Sequence, residues 1–265
     1  MEIGIEEIYS YMQCPLRYKL THVDNMPDES QYKNAVLYSK GIHQVISYFY
    51  YQVQQGRIPT LRQMRDKWGH YYYSIFEDDA RNKENFLTPR TKIDNQRIQQ
   101  LLTKGYETVY AFYAENKDNP GVPIAVNYPF RIAIDDFLVV TGEFELIREV
   151  EDKDQQTKYV EIVDFKTSGY TNDSNNGFFL RHDIRATLMY HAFQETLRST
   201  PDRFVFDYIG TPHTINLERN QNEVNRLKAV LKGISNGIRN EDFFPRQTFA
   251  CKTCPMKEYC DRLQF

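Results

Sequence analysis

Residues 142–166 read GEFELIREVEDKDQQTKYVEIVDFK and predict two strands that pair with one another. Apolar and β-branched residues are frequent in 139–147 and again in 159–166, which is typical of strands. The acidic run between them, residues 149–154, predicts a solvated hairpin loop. The pattern therefore places a hairpin, and with it a sheet, at the centre of the fold.

Charged residues of this hairpin are expected on one face. Side chains two apart on a strand share a face, so Asp164 and Lys166 project together while Phe165 turns to the other side. Glu145 lies on the neighbouring strand, where it can stand beside them. Two carboxylates and an ammonium at one sheet edge can hold a hard divalent cation and orient a water molecule.

These motifs resemble those of the PD-(D/E)XK nuclease superfamily, and in particular its RecB-like branch. The first acid of that branch follows a glycine as G-x-apolar-D, which here reads Gly142 to Glu145, with Glu in place of the usual Asp. The second motif, D-x-K after a β-branched run, reads Ile162 to Lys166. Alone, D-x-K is a weak signal, because any exposed strand can carry that spacing. The resemblance implies an α/β fold with a central mixed sheet flanked by helices.

Composition limits the class of protein. The 265 residues are 41% hydrophobic with 20 Tyr and 17 Phe, so one large domain with a sizeable core is expected. The net charge of −3 argues against electrostatic binding of nucleic acid by the protein surface as a whole, although a local basic groove is compatible with it. Apolar runs stay below the ~18 residues of a membrane span. A soluble, cytoplasmic protein without a membrane partner is therefore expected.

Four cysteines are divided between the two ends of the sequence, at Cys14, Cys251, Cys254 and Cys260. Such a set can form two disulfides in a secreted protein, whereas clustered cysteines in a cytosolic one more often bind metal. The split of one plus three resembles the iron–sulfur staple of AddB-type nuclease domains and of CRISPR-associated exonucleases. That resemblance implies a [4Fe–4S] cluster joining the chain ends. Zinc accepts the same four thiolates, and geometry alone leaves the two close.

Helical periodicity predicts a helix-rich block before the first long strand, with helices over 31–54, 59–80 and 88–116. We expect one nuclease domain over 1–265, made of a helical subdomain at 30–118, a core at 119–240 and the staple at 14 and 251–260. His43 follows Gly41 in the first helix and resembles the family histidine that supplies a nitrogen ligand to the metal. A histidine hydrogen-bonded on a helix face is an equally good interpretation in isolation.

A polar loop at 167–177 and a helix over 181–197 follow Lys166. In RecB-like nucleases this helix carries Q-x-x-x-Y, whose residues contact the active site and DNA. Here Tyr190 fits the motif, but Ala186 stands where the glutamine belongs. Arg185 or His182 can take its role, and the resemblance implies DNA contacts by Arg185 and Tyr190.

The resemblance implies a metal-dependent DNA exonuclease that acts on DNA ends, in recombination and repair or in CRISPR spacer acquisition, with a helicase or an integrase-type complex as partner. Lys166 would position the attacking water. An alternative is a catalytically degenerate DNA-binding or assembly module, which the Glu at 145 and the missing glutamine favour. A third alternative is a protein of unrelated function whose four cysteines bind zinc. The implied ligands of Mg²⁺ or Mn²⁺ are His43, Glu145, Asp164 and the Phe165 carbonyl.

Overall fold

A computed structural model of the chain describes residues 1–27, 33–84, 92–152, 156–167, 181–211 and 213–263. The predicted polar loop lies outside these ranges from residue 168 onwards, and so does the tip of the acidic hairpin at 153–155. In the described ranges, no helix combines the length and the apolarity that crossing a bilayer requires.

Several helices begin at caps that the sequence specifies. Asn220 accepts hydrogen bonds from the Asn222 and Glu223 N–H groups, and the Glu223 carboxylate accepts from the Asn220 N–H, which together form a capping box. The helices are α1 Ile5–Gln13, α2 Pro15–Tyr18, α3 Lys33–Gln54, α4 Leu61–Glu84, α5 Lys92–Asn116, α6 Ile184–Leu197, α7 Gln221–Arg239 and α8 Lys257–Arg262.

The strands form one mixed sheet in which β3 is the most connected member. They are β1 Glu2–Ile3, β2 Val122–Ala133, β3 Val139–Asp152, β4 Thr157–Lys166, β5 Arg203–Tyr208 and β6 Thr214–Leu217. β3 pairs parallel with β1 and antiparallel with β2 and β4. β5 runs parallel to β4, and β6 antiparallel to β5. The predicted α/β fold with a mixed sheet flanked by helices is confirmed.

The predicted acidic loop is wrong in its first half, because β3 continues to Asp152. Glu149 pairs with Val160 and Glu151 with Lys158 in the β3–β4 ladder. Lys158 Nζ lies 2.6 Å from Glu149 Oε1, so a cross-strand ion pair offsets the acidic charge that suggested a solvated loop.

Each face of the sheet is covered by helices. We call the two resulting clusters the α6 core and the α3 core. The α6 core includes Ile8, Phe130, Phe144, Ile147, Ile162, Leu188, Phe204, Phe206 and Leu231. The α3 core includes Ile42, Phe49, Tyr50, Trp68, Phe112, Val126, Leu146, Val163, Phe165 and Val205. Burying a side chain of this size stabilises the fold by about 1.5–3 kcal/mol, so both clusters hold the sheet in place.

Gly41 and Gly105 allow the helices of the α3 core to approach Trp68 closely. A Cβ atom at Gly105 would stand 2.0 Å from the Trp68 ring, and one at Gly41 would stand 2.8 Å from it. Both distances are shorter than carbon atoms tolerate without a shift of the ring. The glycine that precedes His43 therefore has a packing role, and this close packing fixes the turn of α3 that carries the histidine.

Candidate active site

Asp164 and Lys166 share one face of β4, as strand alternation predicts. Lys166 Nζ lies 2.8 Å from Asp164 Oδ2 and 4.9 Å above the centre of the Phe206 ring. Phe165 turns to the opposite side, where its ring lies 5.9 Å from the rings of Tyr50 and Phe112. Burial of Phe165 in the α3 core therefore fixes the direction in which its charged neighbours point.

Asp164 is 8% exposed and is surrounded by charge. Arg185 Nε of α6 lies 3.8 Å from its Oδ2 atom, which Lys166 also contacts. Burial raises the pKa of Asp164, the charges of Lys166 and Arg185 oppose this shift, and the nearby charge of Glu145 adds to it, so the pKa lies above its usual value. The carboxylate is thus costly to ionise without cations close by.

Glu145 contacts groups from two other elements. Its Oε1 atom contacts His43 Nδ1 of α3, and its Oε2 atom accepts a hydrogen bond of 2.8 Å from the Phe165 N–H of β4. Burial acts to raise the pKa of Glu145, but the hydrogen bonds from His43 and Phe165 and the charge of Lys166 outweigh it, so the pKa lies below its usual value. This glutamate joins the two halves of the candidate site.

Two cavities meet at Glu145. A cavity of about 430 Å³ is lined by Lys40, His43 and Asn127, and one of about 290 Å³ by Asp164 and Arg185, with Glu145 in the wall of both. Within the described part of the chain, no three His, Cys, Asp or Glu side chains form a group that could hold a metal ion. The structure therefore pairs His43 with Glu145 and Asp164 with Lys166, and it does not draw them into one compact cage.

The donor atoms suit a hard divalent cation. Carboxylate oxygens and an imidazole nitrogen are ligands that Mg²⁺ and Mn²⁺ accept. The donor set therefore fits such an ion, which would compete with Lys166 for Asp164 Oδ2 and with the His43–Glu145 contact.

Arg185 is held at the site by groups that the sequence did not single out. Its backbone N–H donates to Asp183 Oδ1 at 2.7 Å, which caps α6, and its guanidinium lies 2.5 Å from Glu6 Oε1 of α1. The Tyr9 hydroxyl donates to the same Asp183 carboxylate. Glu6 and Tyr9 lie far from Arg185 in sequence, so no local pattern links them to this site.

The other two positions of the Q-x-x-x-Y motif are buried and line neither cavity of the site. Ala186 is fully buried in the α6 core. Tyr190 is 8% exposed, and burial, together with the charge of Glu223 on α7, raises the pKa of its hydroxyl. Of the two residues predicted to contact DNA, the structure brings Arg185 to Asp164 and buries Tyr190 near Glu223 of α7.

The sequence model of the PD-(D/E)XK nuclease superfamily matches residues 5–261. The chain belongs to this superfamily. Membership indicates nuclease activity in general, and the nucleases of the superfamily typically use divalent metals such as Mg²⁺ or Mn²⁺. The match is to the superfamily as a whole.

A solved structure titled "Crystal structure of SSO0001" is similar to this superfamily member at 14% sequence identity and a TM-score of 0.35. The similarity covers 70% of this chain and 81% of that chain. No curated protein matches the chain.

All four cysteines of this superfamily member line one cavity of about 500 Å³ between the two chain ends. Cys14 follows α1, Cys251 lies in the 3₁₀-helix Phe249–Thr253, Cys254 follows that helix, and Cys260 lies in α8. Three of them, Cys14, Cys254 and Cys260, pack around the buried side chains of Leu16, Leu20 and Met256. The structure thus brings together the cysteines that the sequence predicted to meet.

Backbone N–H groups point at two of the four sulfur atoms in this cavity. The Arg246 and Thr248 N–H groups donate to Cys14 Sγ and Cys251 Sγ, each at 3.4 Å. Burial raises the pKa of the Cys260 thiol, and the nearby Cys14 adds to the shift. These four sulfur donors fit a thiolate-bound group chemically, although among the described residues they do not make a compact metal-holding set. The predicted cluster is therefore still a prediction.

Proposed function

We propose that the protein is a Mg²⁺- or Mn²⁺-dependent deoxyribonuclease that hydrolyses phosphodiester bonds at DNA ends, chiefly of single strands. The observation that carries this proposal is the pair Asp164 and Lys166 on one face of β4, joined through Glu145 to His43. A carboxylate and an ammonium in contact, beside a second carboxylate on the next strand, suit metal-assisted hydrolysis.

Each residue of the site has a role in this reaction. His43, Glu145, Asp164 and the Phe165 carbonyl would hold the cation, which when bound polarises the phosphate and lowers the pKa of water. Lys166 would help to position or deprotonate the attacking water and would offset the negative charge of the phosphate.

DNA as the substrate is supported by the cations beside the two cavities. Lys40 lines the larger cavity and Arg185 the smaller one, so basic side chains flank the acidic centre although the net charge of the chain is −3. A phosphate entering between them would replace part of the Arg185–Glu6 contact. The preference for single-stranded ends, a helicase or integrase-type partner, and a role in repair or spacer acquisition rest on the RecB-like motif order.

We propose further that Cys14, Cys251, Cys254 and Cys260 hold a [4Fe–4S] cluster. A tetrahedral zinc ion draws four sulfurs to about 2.3 Å from one point, whereas a cubane cluster binds each sulfur through a different iron. The cavity of about 500 Å³ has room for the larger group. The cluster would be structural, because hydrolysis requires no electron transfer.

A degenerate DNA-binding module is the second candidate, and one observation favours it. The Asp164 and Glu145 carboxylates are both engaged by protein donors, namely Lys166, Arg185, His43 and the Phe165 N–H. Such a site is stable as a set of ion pairs and hydrogen bonds, so its geometry alone does not require a cation.

A cleavage assay separates these two functions. End-labelled single-stranded, double-stranded and flapped DNA would be incubated with the protein and Mn²⁺, with and without a chelator. Chelator-sensitive cleavage supports the nuclease, whereas DNA binding without cleavage by protein that binds Mn²⁺ supports the module.

The metal content of anaerobically purified protein tests the cluster separately. A brown protein with a broad visible absorption band and about four irons per chain is expected. Replacing any one of the four cysteines by Ala should remove the colour and lower the melting temperature, because the group joins distant chain ends. A colourless protein with one zinc per chain would contradict the cluster and leave the nuclease proposal intact.

A further inference from the structure

Asn127 has an unusual backbone conformation for its place in the fold. It lies inside β2, yet its φ angle is 47°, in the left-handed region. Non-glycine residues rarely adopt this region, and asparagine tolerates it better than most, whereas a β-branched residue is strained there. Strain of this kind is commonly found where the surrounding structure needs it, and functional sites are the usual place.

Asn127 lies opposite Glu145 in the sheet. Val126 pairs with Leu146 and Tyr128 pairs with Phe144, so Asn127 and Glu145 are the residues between these two pairs. The left-handed residue therefore stands beside the glutamate that joins His43 to β4.

Both strands exchange faces at this point. In a regular strand, residues two or four apart lie on the same face. Leu146 nevertheless packs into the α3 core and Phe144 into the α6 core. On β2, Val126 belongs to the α3 core and Phe130 to the α6 core. The two strands thus turn over together at Asn127 and Glu145.

The Asn127 side chain is anchored to the helix that carries His43. Ser47 Oγ lies 3.0 Å from Asn127 Oδ1 and 2.9 Å from the His43 carbonyl oxygen. Ser47 follows His43 by one helical turn, and the four side chains of His43, Ser47, Asn127 and Glu145 line the same cavity. The point where the two strands change faces is therefore held against α3, beside the candidate metal ligand His43.

We infer that Asn127 is a positioning residue whose left-handed backbone directs the Glu145 carboxylate toward His43 and the Phe165 N–H. This inference rests on the proposed function, since it assigns the strand irregularity to assembly of the cation site. With regular strands, Glu145 would project squarely to one face, and its two oxygens would not meet a helix on one side and the β4 backbone on the other.

Two substitutions at Asn127 separate the backbone from the side chain. Asn127→Gly keeps the left-handed conformation and loses the bond to Ser47, while Asn127→Val opposes that conformation. A matched control is available at Asn25, an exposed residue with a φ of 52° that lines neither cavity. Asn25→Val imposes the same backbone conflict away from the site.

Calorimetric titration with Mn²⁺ is the first measurement. Asn127→Val should weaken Mn²⁺ binding by about tenfold, the low end of the losses seen when a residue that orients a metal ligand is changed. Asn127→Gly should stay close to the wild type, and Asn25→Val should lower the melting temperature without changing Mn²⁺ affinity. Unchanged affinity in Asn127→Val, or equal losses in Asn127→Gly and Asn127→Val, would overturn the inference.

A double-mutant cycle in metal-free protein makes the inference independent of the proposed function. The melting temperatures of Asn127→Val, Glu145→Gln and the double variant would be compared with the wild type. If Asn127 positions Glu145, the effect of Asn127→Val should be smaller in the Glu145→Gln background. Additive effects refute the positioning role. Non-additive effects in a wild type that binds no Mn²⁺ would uphold the positioning of Glu145 and reject the metal-dependent nuclease.

Discussion

Asp164 and Glu145 carry the same charge on neighbouring strands, yet the fold holds them in different ways. Asp164 lies on a regular strand and contacts Lys166 two residues away, and its pKa is raised. Glu145 lies where β3 changes faces and contacts His43 of α3, and its pKa is lowered. One carboxylate is placed by local alternation, and the other by contacts between distant elements.

The positions of the two carboxylates should therefore respond differently to substitutions elsewhere in the fold. The contact between Asp164 and Lys166 should tolerate changes elsewhere in the fold as long as β4 stays a strand and Phe165 stays buried. The Glu145 half depends on β2, β3 and α3 meeting correctly, so its geometry should respond to small changes in any of them. Substitutions in the Asp164 half and in the Glu145 half can test whether cleavage and metal binding depend on different halves of the site.

Replacing Lys166 should have the largest effect. Lys166→Ala removes the ammonium that contacts Asp164, so cleavage should fall by about 10²–10⁴-fold, the usual contribution of a general acid or base. Mn²⁺ binding should be kept, because an ammonium repels the cation. Rates on end-labelled DNA and calorimetric titration would measure both. Lys158→Ala is the matched control, an exposed lysine on the same strand, and should cleave normally. Full activity in Lys166→Ala would remove this lysine from the reaction.

Shortening Glu145 should reduce cleavage less than the loss of Lys166 does, and it should also weaken metal binding. Aspartate keeps the charge and the oxygen ligands, but it is one methylene too short to meet His43 and the Phe165 N–H together. Glu145→Asp should therefore weaken Mn²⁺ binding by about tenfold and retain partial cleavage. Glu143→Asp, on the exposed neighbouring acid, is the control. If Glu143→Asp lost metal and Glu145→Asp did not, the ligand assignment would be reversed.

The Arg185 side of the Asp164 half can be tested through DNA binding. In the Lys166→Ala background, where cleavage is suppressed, Arg185→Ala should weaken single-stranded DNA binding. The slope of log affinity against log salt should fall by about 0.7, the value for one lost phosphate contact. Arg198→Ala, at the exposed C-terminal end of the same helix, should leave the slope unchanged. An unchanged slope in Arg185→Ala would limit this arginine to its pairs with Glu6 and Asp164.

The smallest expected effect concerns pH and the helix that carries Arg185. Burial lowers the pKa of His191 on α6, and the nearby charge of Lys228 lowers it further. The neutral ring therefore contributes stability above the ordinary value of about 6.5, and this contribution is lost as pH falls through the lower folded pKa. Unfolding of His191→Gln by denaturant should show a weaker loss of stability with acid than the wild type. His70→Gln, at an exposed histidine of α4, should follow the wild type.

Much of the fold follows from patterns that act over a few residues. The bounds of β4 and of the helices α3 to α6 lie close to where strand and helix patterns place them. The acidic hairpin was the clearest error, because pairing with β4, which a composition rule cannot detect, continues β3 through residue 152. Local charge density predicted a loop at residues 149–152, but these residues pair with β4 and remain in the strand.

The sequence by itself determined that Asp164 and Lys166 share a face, because a strand repeats every two residues and Phe165 must be buried. Its motif order also pointed to the superfamily to which the chain belongs. Only the tertiary structure decided that Glu145 meets His43, that Arg185 is held by Glu6, and that the strands turn over at Asn127. These contacts join residues up to 179 positions apart, and they exist only after two cores have closed on the sheet, so no local pattern encodes them.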